Sequence, residues 1–333
     1  MPGVPRAGRI DVIPFFASLV VTAAMAPFVR HVMQRAGIID IPNHRSSHIA
    51  AVPRGGGLAC LGGVLVGLAV AQLQGRHVPW VAVLAIVLLA GVGFADDRVV
   101  LGATPRLAAQ LASGVIAGAA IGGVSLALVA VVVFPAAVNI VNFMDGINGI
   151  TSLVMTCWGI TTLLVGRAHG LELLSVVGAV SAGSAFGFLP WNTPVAKLFL
   201  GDVGSYLFGG LVSIGLLLGW IGGVNKVVLL APLALYLADT GTTLLKRALR
   251  GCSLIEAHRE HVYQRLVSEA ALPHVAVAVT VAVLSMCITA TVAFASVPIA
   301  VGTSAAVIAG YLLSVPMLRV IRNIFSATGK RIM

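Results

Sequence analysis

The chain has 333 residues, of which 59% are hydrophobic and 10% are charged, and its mean hydropathy is +1.03. Soluble domains usually carry about 25% charged residues, so this composition excludes an ordinary soluble protein. The net charge of +10 invites a nucleic-acid-binding interpretation. The distribution of the charges along the chain is better explained by membrane topology, and no nucleic-acid partner is expected.

Apolar segments follow one another along the whole chain. Each is close to the ~20 residues that cross a hydrocarbon core. Because lipid offers no hydrogen-bond partner to an exposed backbone group, these segments are expected to be helices. The predicted fold class is therefore all-α, a polytopic integral membrane protein forming one domain over residues 1–333. About eleven transmembrane helices are predicted, at 12–33, 57–73, 79–95, 107–121, 124–143, 150–165, 171–189, 203–221, 227–245, 272–295 and 297–317.

Basic residues are divided unequally between the two sides of this topology. If the N-terminus lies outside, 16 of the 21 Lys and Arg residues fall inside. That imbalance follows the positive-inside rule. Nine of the eleven carboxylates fall on or near the same inner face. The sequence therefore predicts the N-terminus out, the C-terminus in, and the polar chemistry at the cytoplasmic face.

A polar stretch interrupts the apolar chain at 139–150. Asn139, Asn142 and Asp145 recur at intervals of three, so on a helix they share a face and are expected to converge. The segment 144–149 then turns the chain, with Asn148 placed to reach back. A simple Asn/Gly turn explains that segment, but it does not explain two amides inside the preceding span.

The first interior loop, 34–56, ends in an arginine followed by three glycines, Arg54 to Gly57. Glycine lets backbone N–H groups approach an anion closely, so this loop is a candidate phosphate site. A positively charged interior loop with a flexible hinge explains the same residues equally well.

The second interior loop, 96–106, begins with two adjacent carboxylates, Asp96 and Asp97. Neighbouring carboxylates repel one another unless a cation, a proton or an arginine compensates. A general base or a metal site would suit such a pair. A solvated loop pair is the alternative, but acids are scarce in this chain, which favours a functional role.

The fourth interior loop, 190–202, places Asp202 at the predicted start of a helix. A carboxylate is favoured there by the helix dipole and can simply cap the helix. Carboxylate and amide oxygens are also the hard ligands that Mg²⁺ prefers, together with water and substrate phosphates. Asp202 with Asn142 would form such a site.

The last large interior loop, 246–271, contains His258, Arg259 and His261. The two histidines could bind a metal, but no third nitrogen or sulfur ligand is evident. Contact with phosphate is the favoured hypothesis for these three residues. In the preceding span, Asp239 is expected to pair structurally with a neighbouring basic side chain.

Five motifs in chain order resemble one family, the polyprenyl-phosphate N-acetylhexosamine-1-phosphate transferases of glycosyltransferase family 4. They lie at 53–57, 96–97, 139–149, 199–205 and 258–261. The number of spans and the arginine-containing 258–261 motif resemble the bacterial O-antigen and teichoic-acid initiating branch more than the peptidoglycan branch.

The resemblance implies transfer of a sugar 1-phosphate from a UDP-N-acetylhexosamine, of the GlcNAc, FucNAc or QuiNAc type, to undecaprenyl phosphate. UMP is released, and the lipid diphosphate sugar initiates a cell-surface polysaccharide. The enzyme would lie in the bacterial cytoplasmic membrane, with its active site facing the cytoplasm. Mg²⁺ is the implied cofactor, with Mn²⁺ as a substitute. The oligomeric state, monomer or homodimer, is left open.

The resemblance also implies roles for the motif residues. Asp96 or Asp97 would be the catalytic base, and Asn142 and Asp202 would hold the metal. The implied substrate-binding residues are Arg54, Asn139, Asp145, Asn148, His258, Arg259 and His261.

Two other classes of function fit the sequence less well. A secondary transporter of an anionic substrate would place its polar groups near the midplane, whereas here the acids cluster at one face. An intramembrane aspartyl protease needs two aspartates facing one another within helices. The sequence places Asp145 and Asp202 at helix ends instead.

Overall fold

The computed structural model describes residues 12–42, 50–254, 256 and 258–327 of the chain. Within these residues, nine helices are long and apolar enough to cross a membrane, and a shorter apolar helix of 17 residues accompanies them. The predicted all-α, polytopic class is confirmed. The orientation of the termini stays a prediction.

Twelve α-helices and one short hairpin make up the described chain. The helices are α1 (Val12–Arg35), α2 (Gly57–Leu73), α3 (Trp80–Val99), α4 (Ala103–Met144), α5 (Ile150–Ala168), α6 (Glu172–Asn192), α7 (Gly201–Ile221), α8 (Lys226–Leu230), α9 (Ala234–Leu249), α10 (Val262–Ser268), α11 (His274–Phe294) and α12 (Val297–Ala327). A 3₁₀ turn, Ala231–Leu233, joins α8 to α9. Two short antiparallel strands, β1 (Ile39–Asp40) and β2 (Val52–Pro53), lie between α1 and α2.

Helix α4 is two membrane spans joined by a sharp kink. Its 42 residues would extend about 63 Å as one straight helix, roughly twice the hydrocarbon thickness. Gly122 and Gly123 have non-helical dihedrals, and Gly123 takes a φ of 72° that favours glycine. The two halves pack closely, since a Cβ added to Gly118 would lie 2.7 Å from the Cα of Ala127. With α4 counted twice and α2 included, the described spans agree with the eleven predicted.

Helix α7 is enclosed by its neighbours, and most of its residues are buried. Its first turn is in backbone contact with two other helices. A Cβ on Gly57 of α2 would collide with the backbone of Gly204, and one on Gly93 of α3 would lie 2.5 Å from the carbonyl oxygen of Asp202. Small residues permit such close helix packing. The N-terminus of α7 is therefore fixed from two sides.

The loop before α2 is bonded to the loop before α7. Phe199 donates its backbone N–H to Pro53 O at 2.9 Å. In return, the amides of Gly56 and Gly57 donate to the carbonyl oxygens of Phe199 and Leu200, each at 2.8 Å. These two glycine amides are thus engaged within the protein and are not available to an anion in this arrangement. Phosphate binding by the rest of the loop stays a prediction.

Two predicted loops contain more helix than expected. Asp96 and Asp97 lie in the last turn of α3 rather than in a loop over 96–106. The helix ends because Val100 adopts a left-handed φ of 50°, with its N–H bonded to Asp96 O. The loop predicted at 246–271 includes the end of α9 and the whole of α10. Hydropathy does not reveal these helical turns, because they contain charged residues.

Replacing Gly93 with alanine should lower the melting temperature of the purified protein. The added methyl group would press on the Asp202 carbonyl, and overpacking of this kind typically costs about 1–3 kcal/mol. Thermal unfolding in detergent measures the effect.

Gly91→Ala is the matched control, because Gly91 lies two residues away on the same helix and a Cβ there meets no atom within 4 Å among the described residues. Equal melting temperatures for the two variants would contradict the described contact between α3 and α7.

Candidate active site

The carboxylate of Asp97 binds the N-terminus of α7. Its Oδ1 accepts the Asp202 N–H at 3.0 Å, and its Oδ2 accepts the Val203 N–H at 3.2 Å. The first N–H groups of a helix have no partner within the helix, so a carboxylate is favoured there. Gly201, at φ 75°, leaves the space that Asp97 occupies. Asp97 thereby joins α3 to α7, and its side chain is fully buried.

Asn142 and Asp202 are in direct contact although 60 residues separate them. Asn142 Nδ2 donates to Asp202 Oδ1 at 2.8 Å and to Ser205 Oγ at 3.0 Å. The structure therefore brings together the two residues predicted to hold a metal. Their role as ligands stays a prediction.

The donor chemistry of this pair fits Mg²⁺ in part. Asp202 is half-buried and supplies a hard carboxylate, while Asn142 would have to turn its amide oxygen toward the ion. Within the described part of the chain, no three His, Cys, Asp or Glu side chains are grouped as a metal site. A pair such as Asp202 and Asn142 suits an ion that is also bound by substrate phosphates and water, rather than one held by protein ligands alone.

Asp96 points away from Asp97 toward the start of α4. Its Oδ1 accepts the Leu101 N–H at 2.6 Å, and its Oδ2 lies 3.3 Å from Arg106 Nη1. The arginine compensates the charge of Asp96, which explains how two adjacent carboxylates are tolerated.

Arg54 faces the acids from the loop before α2. Its Nε lies 3.6 Å from Asp40 Oδ2 and 3.7 Å from Asp97 Oδ1, and among the described residues Nε has no hydrogen-bond partner. Asp202 and Asp145 also lie close enough to interact with its charge. Arg54 therefore places one cation among several carboxylates.

The turn between α4 and α5 carries Asp145 and Asn148. Burial raises the pKa of Asp145 to about 6, although the Thr151 hydroxyl and the charge of Arg54 act to lower it. Asn148 Nδ2 donates to Pro194 O at 3.3 Å, which connects the turn to the loop before α7.

Asn139 does not join the other two polar residues of α4. Its Nδ2 donates to Gln110 Oε1 and to Pro135 O, both at 2.8 Å. It therefore connects the two halves of α4, whereas Asn142 contacts α7. The expected convergence of Asn139, Asn142 and Asp145 on one point is not what the structure shows, because each has a different partner.

The loop before α10 carries the predicted phosphate-binding residues. The His258 and His261 rings lie 5.0 Å apart, and Glu260 between them pairs with Arg247 and Arg250. Burial lowers the pKa of His258 to about 4, and the neighbouring His261 and Arg247 act in the same direction. His258 is thus neutral at neutral pH and would meet a phosphate as an N–H donor rather than as a cation.

Arg259 has interactions within the protein. Its predicted contact with phosphate stays a prediction.

The phenol of Tyr263 connects this loop to the central stretch. Tyr263 is fully buried, and its Oη donates to Phe143 O at 2.9 Å. A Cβ on Gly146 would collide with the same hydroxyl, so glycine is needed there for space. The Phe143 and His261 rings also stack at 6.3 Å. His261 is thereby held against the C-terminal end of α4.

Three residues of this region were not among the predicted site residues. Ser205 lies within the 199–205 motif, so its spacing from Asp202 could have indicated it. Asn192 accepts the Gly149 N–H at 2.6 Å, and the Tyr263 hydroxyl donates to Phe143 O just before the turn. Neither of these contacts leaves a signal in the sequence.

Comparison with known proteins shows similarity to one family. The family model described as glycosyl transferase family 4 matches residues 79–219. A probable undecaprenyl-phosphate N-acetylglucosaminyl 1-phosphate transferase of Bacillus subtilis (strain 168) is 25% identical over 77% of this chain and 77% of that protein. The chain is therefore similar to polyprenyl-phosphate hexosamine-1-phosphate transferases.

Two further relatives are named for different transferase activities. The decaprenyl-phosphate N-acetylglucosaminephosphotransferase of Mycobacterium tuberculosis (strain CDC 1551 / Oshkosh) is 28% identical over 79% of this chain and 77% of its own length. A phospho-N-acetylmuramoyl-pentapeptide-transferase of Mycobacteroides abscessus is 28% identical over 59% of this chain and 72% of its own. Asp97, Asn142 and Asp202 lie inside the region that the family model matches, whereas Arg54 and His261 lie outside it.

Acidification should stabilise the wild-type protein relative to an Asp145→Asn variant. Because the pKa of Asp145 is raised when folded, ionisation opposes folding, fully above pH 6 and progressively less below it. Lowering the pH from about 7.5 to about 5 removes about half of this cost in the wild type and none in the variant.

Melting temperatures of both proteins at the two pH values test the direction of this change in stability. The difference, wild type minus variant, should become more positive at the lower pH. A difference that stays constant or moves the other way would contradict the described burial of Asp145.

Proposed function

We propose that this protein transfers a sugar 1-phosphate from a UDP-N-acetylhexosamine to undecaprenyl phosphate, with release of UMP. The observation that supports this most directly is the contact between Asn142 and Asp202 at the start of α7, where Asp97 also binds. The three residues come from separate motifs of the family region. No observation favours the alternative, a transporter of anionic substrates.

Asp202 and Asn142 would hold Mg²⁺, with Mn²⁺ as a substitute. When bound there, the ion would neutralise the diphosphate of the sugar nucleotide and stabilise charge as the phosphoryl group moves. The protein would hold the two ligand side chains in place. The backbone of Asp202 is bonded to Asp97, and the side chain of Asn142 is bonded to Ser205.

Asp97 is the better candidate for the base. It bonds the backbone of Asp202 directly, whereas the charge of Asp96 is compensated by Arg106. The side chain of Asp96 also interacts with that of Asp202. A carboxylate has about four lone-pair positions, so two bonds from amides leave room for a proton. The lipid phosphate is itself acidic, and only modest basicity is needed to remove its last proton. Direct in-line attack on the sugar nucleotide is the preferred mechanism.

The remaining polar groups would bind the two substrates. Arg54 brings a positive charge beside Asp97 and Asp202, where two anionic phosphates must meet. His258, Arg259 and His261 would contact diphosphate oxygens or the acetamido sugar, with His258 acting as a neutral donor. The turn with Asp145 and Asn148 would contact the nucleotide. The carboxyl of Asp145, with its pKa raised to about 6, is more easily accommodated there than a fully ionised acid.

Asn139 has a different place in the proposal. Its amide is bonded to Gln110 within the α4 hairpin, so it would act on the substrate only through the position of Asn142, one turn away.

Membrane depth supports a lipid acceptor. The C-terminal ends of α3 and α4 and the N-terminal ends of α2 and α7 meet around Asp202. Helix ends mark a membrane boundary, where the phosphate of a polyprenyl chain lies while its tail stays in the hydrocarbon. With the predicted topology, this boundary faces the cytoplasm of a bacterial cell and the protein lies in its cytoplasmic membrane.

The donor would be a UDP-sugar of the GlcNAc, FucNAc or QuiNAc type. Two of the relatives named above are N-acetylglucosamine 1-phosphate transferases by name, which supports an N-acetylated sugar. The product would initiate a cell-surface polysaccharide, such as an O-antigen or a teichoic acid.

Purified protein supplied with Mg²⁺, undecaprenyl phosphate and a panel of UDP-N-acetylated sugars should release UMP from at least one donor. UMP formation and the lipid product are measured together, so that hydrolysis of the nucleotide is distinguished from transfer. Folded protein that releases no UMP from any donor would remove the proposed function.

Asp202→Ala tests the metal site in the same assay. Loss of a metal ligand should reduce turnover by more than the about 10–100-fold typical of an outer-shell group, and raise the Mg²⁺ concentration needed for residual activity. Glu172→Gln is the control, since this exposed acid at the start of α6 pairs with Arg76 away from the site. Full turnover by Asp202→Ala would exclude the proposed metal site.

A further inference from the structure

Asp239 is a fully buried carboxylate in the middle of α9, and five donors surround it. Oδ1 accepts from Thr243 Oγ1 at 3.2 Å, lies 3.1 Å from His261 Nδ1 and accepts the Val262 N–H at 3.0 Å. Oδ2 accepts the Tyr263 N–H at 3.3 Å and the Tyr311 hydroxyl at 2.7 Å. A buried charge is stable only when it is paired and hydrogen-bonded in this way.

The expected pairing of Asp239 with a basic side chain is present, and the partner is the imidazole of His261 in the histidine loop. The same oxygen, Oδ1, also binds the N-terminus of α10. One oxygen atom therefore fixes both the ring of His261 and the helix that follows it. Satisfying the helix end alone would not require the ring.

The contact determines which ring nitrogen of His261 remains available. A carboxylate oxygen accepts only, so Nδ1 carries the proton and Nε2 is left for another partner. The ring is held on its faces by Phe143, at 6.3 Å, and Tyr263, at 5.8 Å, and His258 lies beside it at 5.0 Å. Its orientation is thus fixed by one hydrogen bond and by packing on two sides.

We propose that Asp239 is a positioning residue that holds His261 with Nε2 directed, as an acceptor, to an N–H or O–H donor of the substrate's acetamido sugar. The inference rests on the proposed function, because it names what the ring contacts. Asp239 acts through His261 alone and touches no substrate. Carboxylates that bind the far nitrogen of a functional histidine commonly fix the tautomer and the ring orientation.

The two oxygens of Asp239 allow positioning to be separated from stability. Oδ1 is bonded to the His261 ring, whereas Oδ2 accepts the hydroxyl of Tyr311 from α12. Tyr311→Phe therefore removes a donor from the same buried group without removing the bond to His261. It should lower the melting temperature with turnover nearly unchanged.

The test is a double-mutant cycle on turnover, with Asp239→Asn and His261→Ala made singly and together. Asp239→Asn keeps the shape of the side chain and removes its charge. With His261 present, it should reduce kcat about 10–100-fold, the range found for groups that orient a functional histidine. In the His261→Ala background, the same change should cost less than about 3-fold, because the residue through which it acts is absent.

Equal losses in the two backgrounds, or no loss with His261 present, would overturn the proposal and leave Asp239 as a purely structural group. If Asp239→Asn is not recovered folded, Thr243→Val replaces it in the cycle, because it removes a donor from the same Oδ1. A smaller loss that again disappears without His261 is then expected, and a loss that persists would overturn the proposal. Wild-type protein without UMP release would instead count against the proposed function itself.

Discussion

The bond between the Asp97 carboxylate and the first turn of α7 is the interaction on which the site depends. It places Asp202, whose N–H it accepts, opposite Asn142, and it requires the space left by Gly201. The same turn is in close contact with Gly57 and with Gly93, so α2, α3 and α7 share one point of contact. A shift of α7 would therefore move Asp202 away from Asn142 and would also disturb the loops on either side.

A second buried carboxylate repeats this arrangement at the other side of the site. Asp239 binds the N-terminus of α10 as Asp97 binds that of α7. In both cases an acid of one helix holds the start of another, and the neighbouring polar side chain, Asp202 or His261, takes its position from that bond. Helix N-termini favour negative charge, so few acids are enough to organise a site within an apolar chain.

Much of the fold followed from the sequence because membrane spans obey a simple requirement of length and hydropathy. The segment 57–73 matches α2 to the residue, and the glycine pair at 122–123 separates two predicted spans as the structure does. The contact of Asn142 with Asp202 was predicted from the preference of Mg²⁺ for oxygen ligands, and the pair does lie together. Long-range hydrogen bonds were not predictable, because they depend on tertiary packing. Asn139 bonds the other half of its own helix, and Asp97 binds the N-terminus of α7. The amides of Gly56 and Gly57 bond another loop.

The position of the divalent ion tests the central claim most directly. Crystals grown with Mn²⁺ and a UDP-N-acetylhexosamine would locate the ion by its anomalous scattering, independently of any activity. The account predicts an ion within about 2.2 Å of an Asp202 oxygen and shared with the substrate diphosphate, while Asp97 keeps its bonds to the backbone of α7. An ion bound elsewhere, with Asp202 outside its coordination sphere, would contradict it.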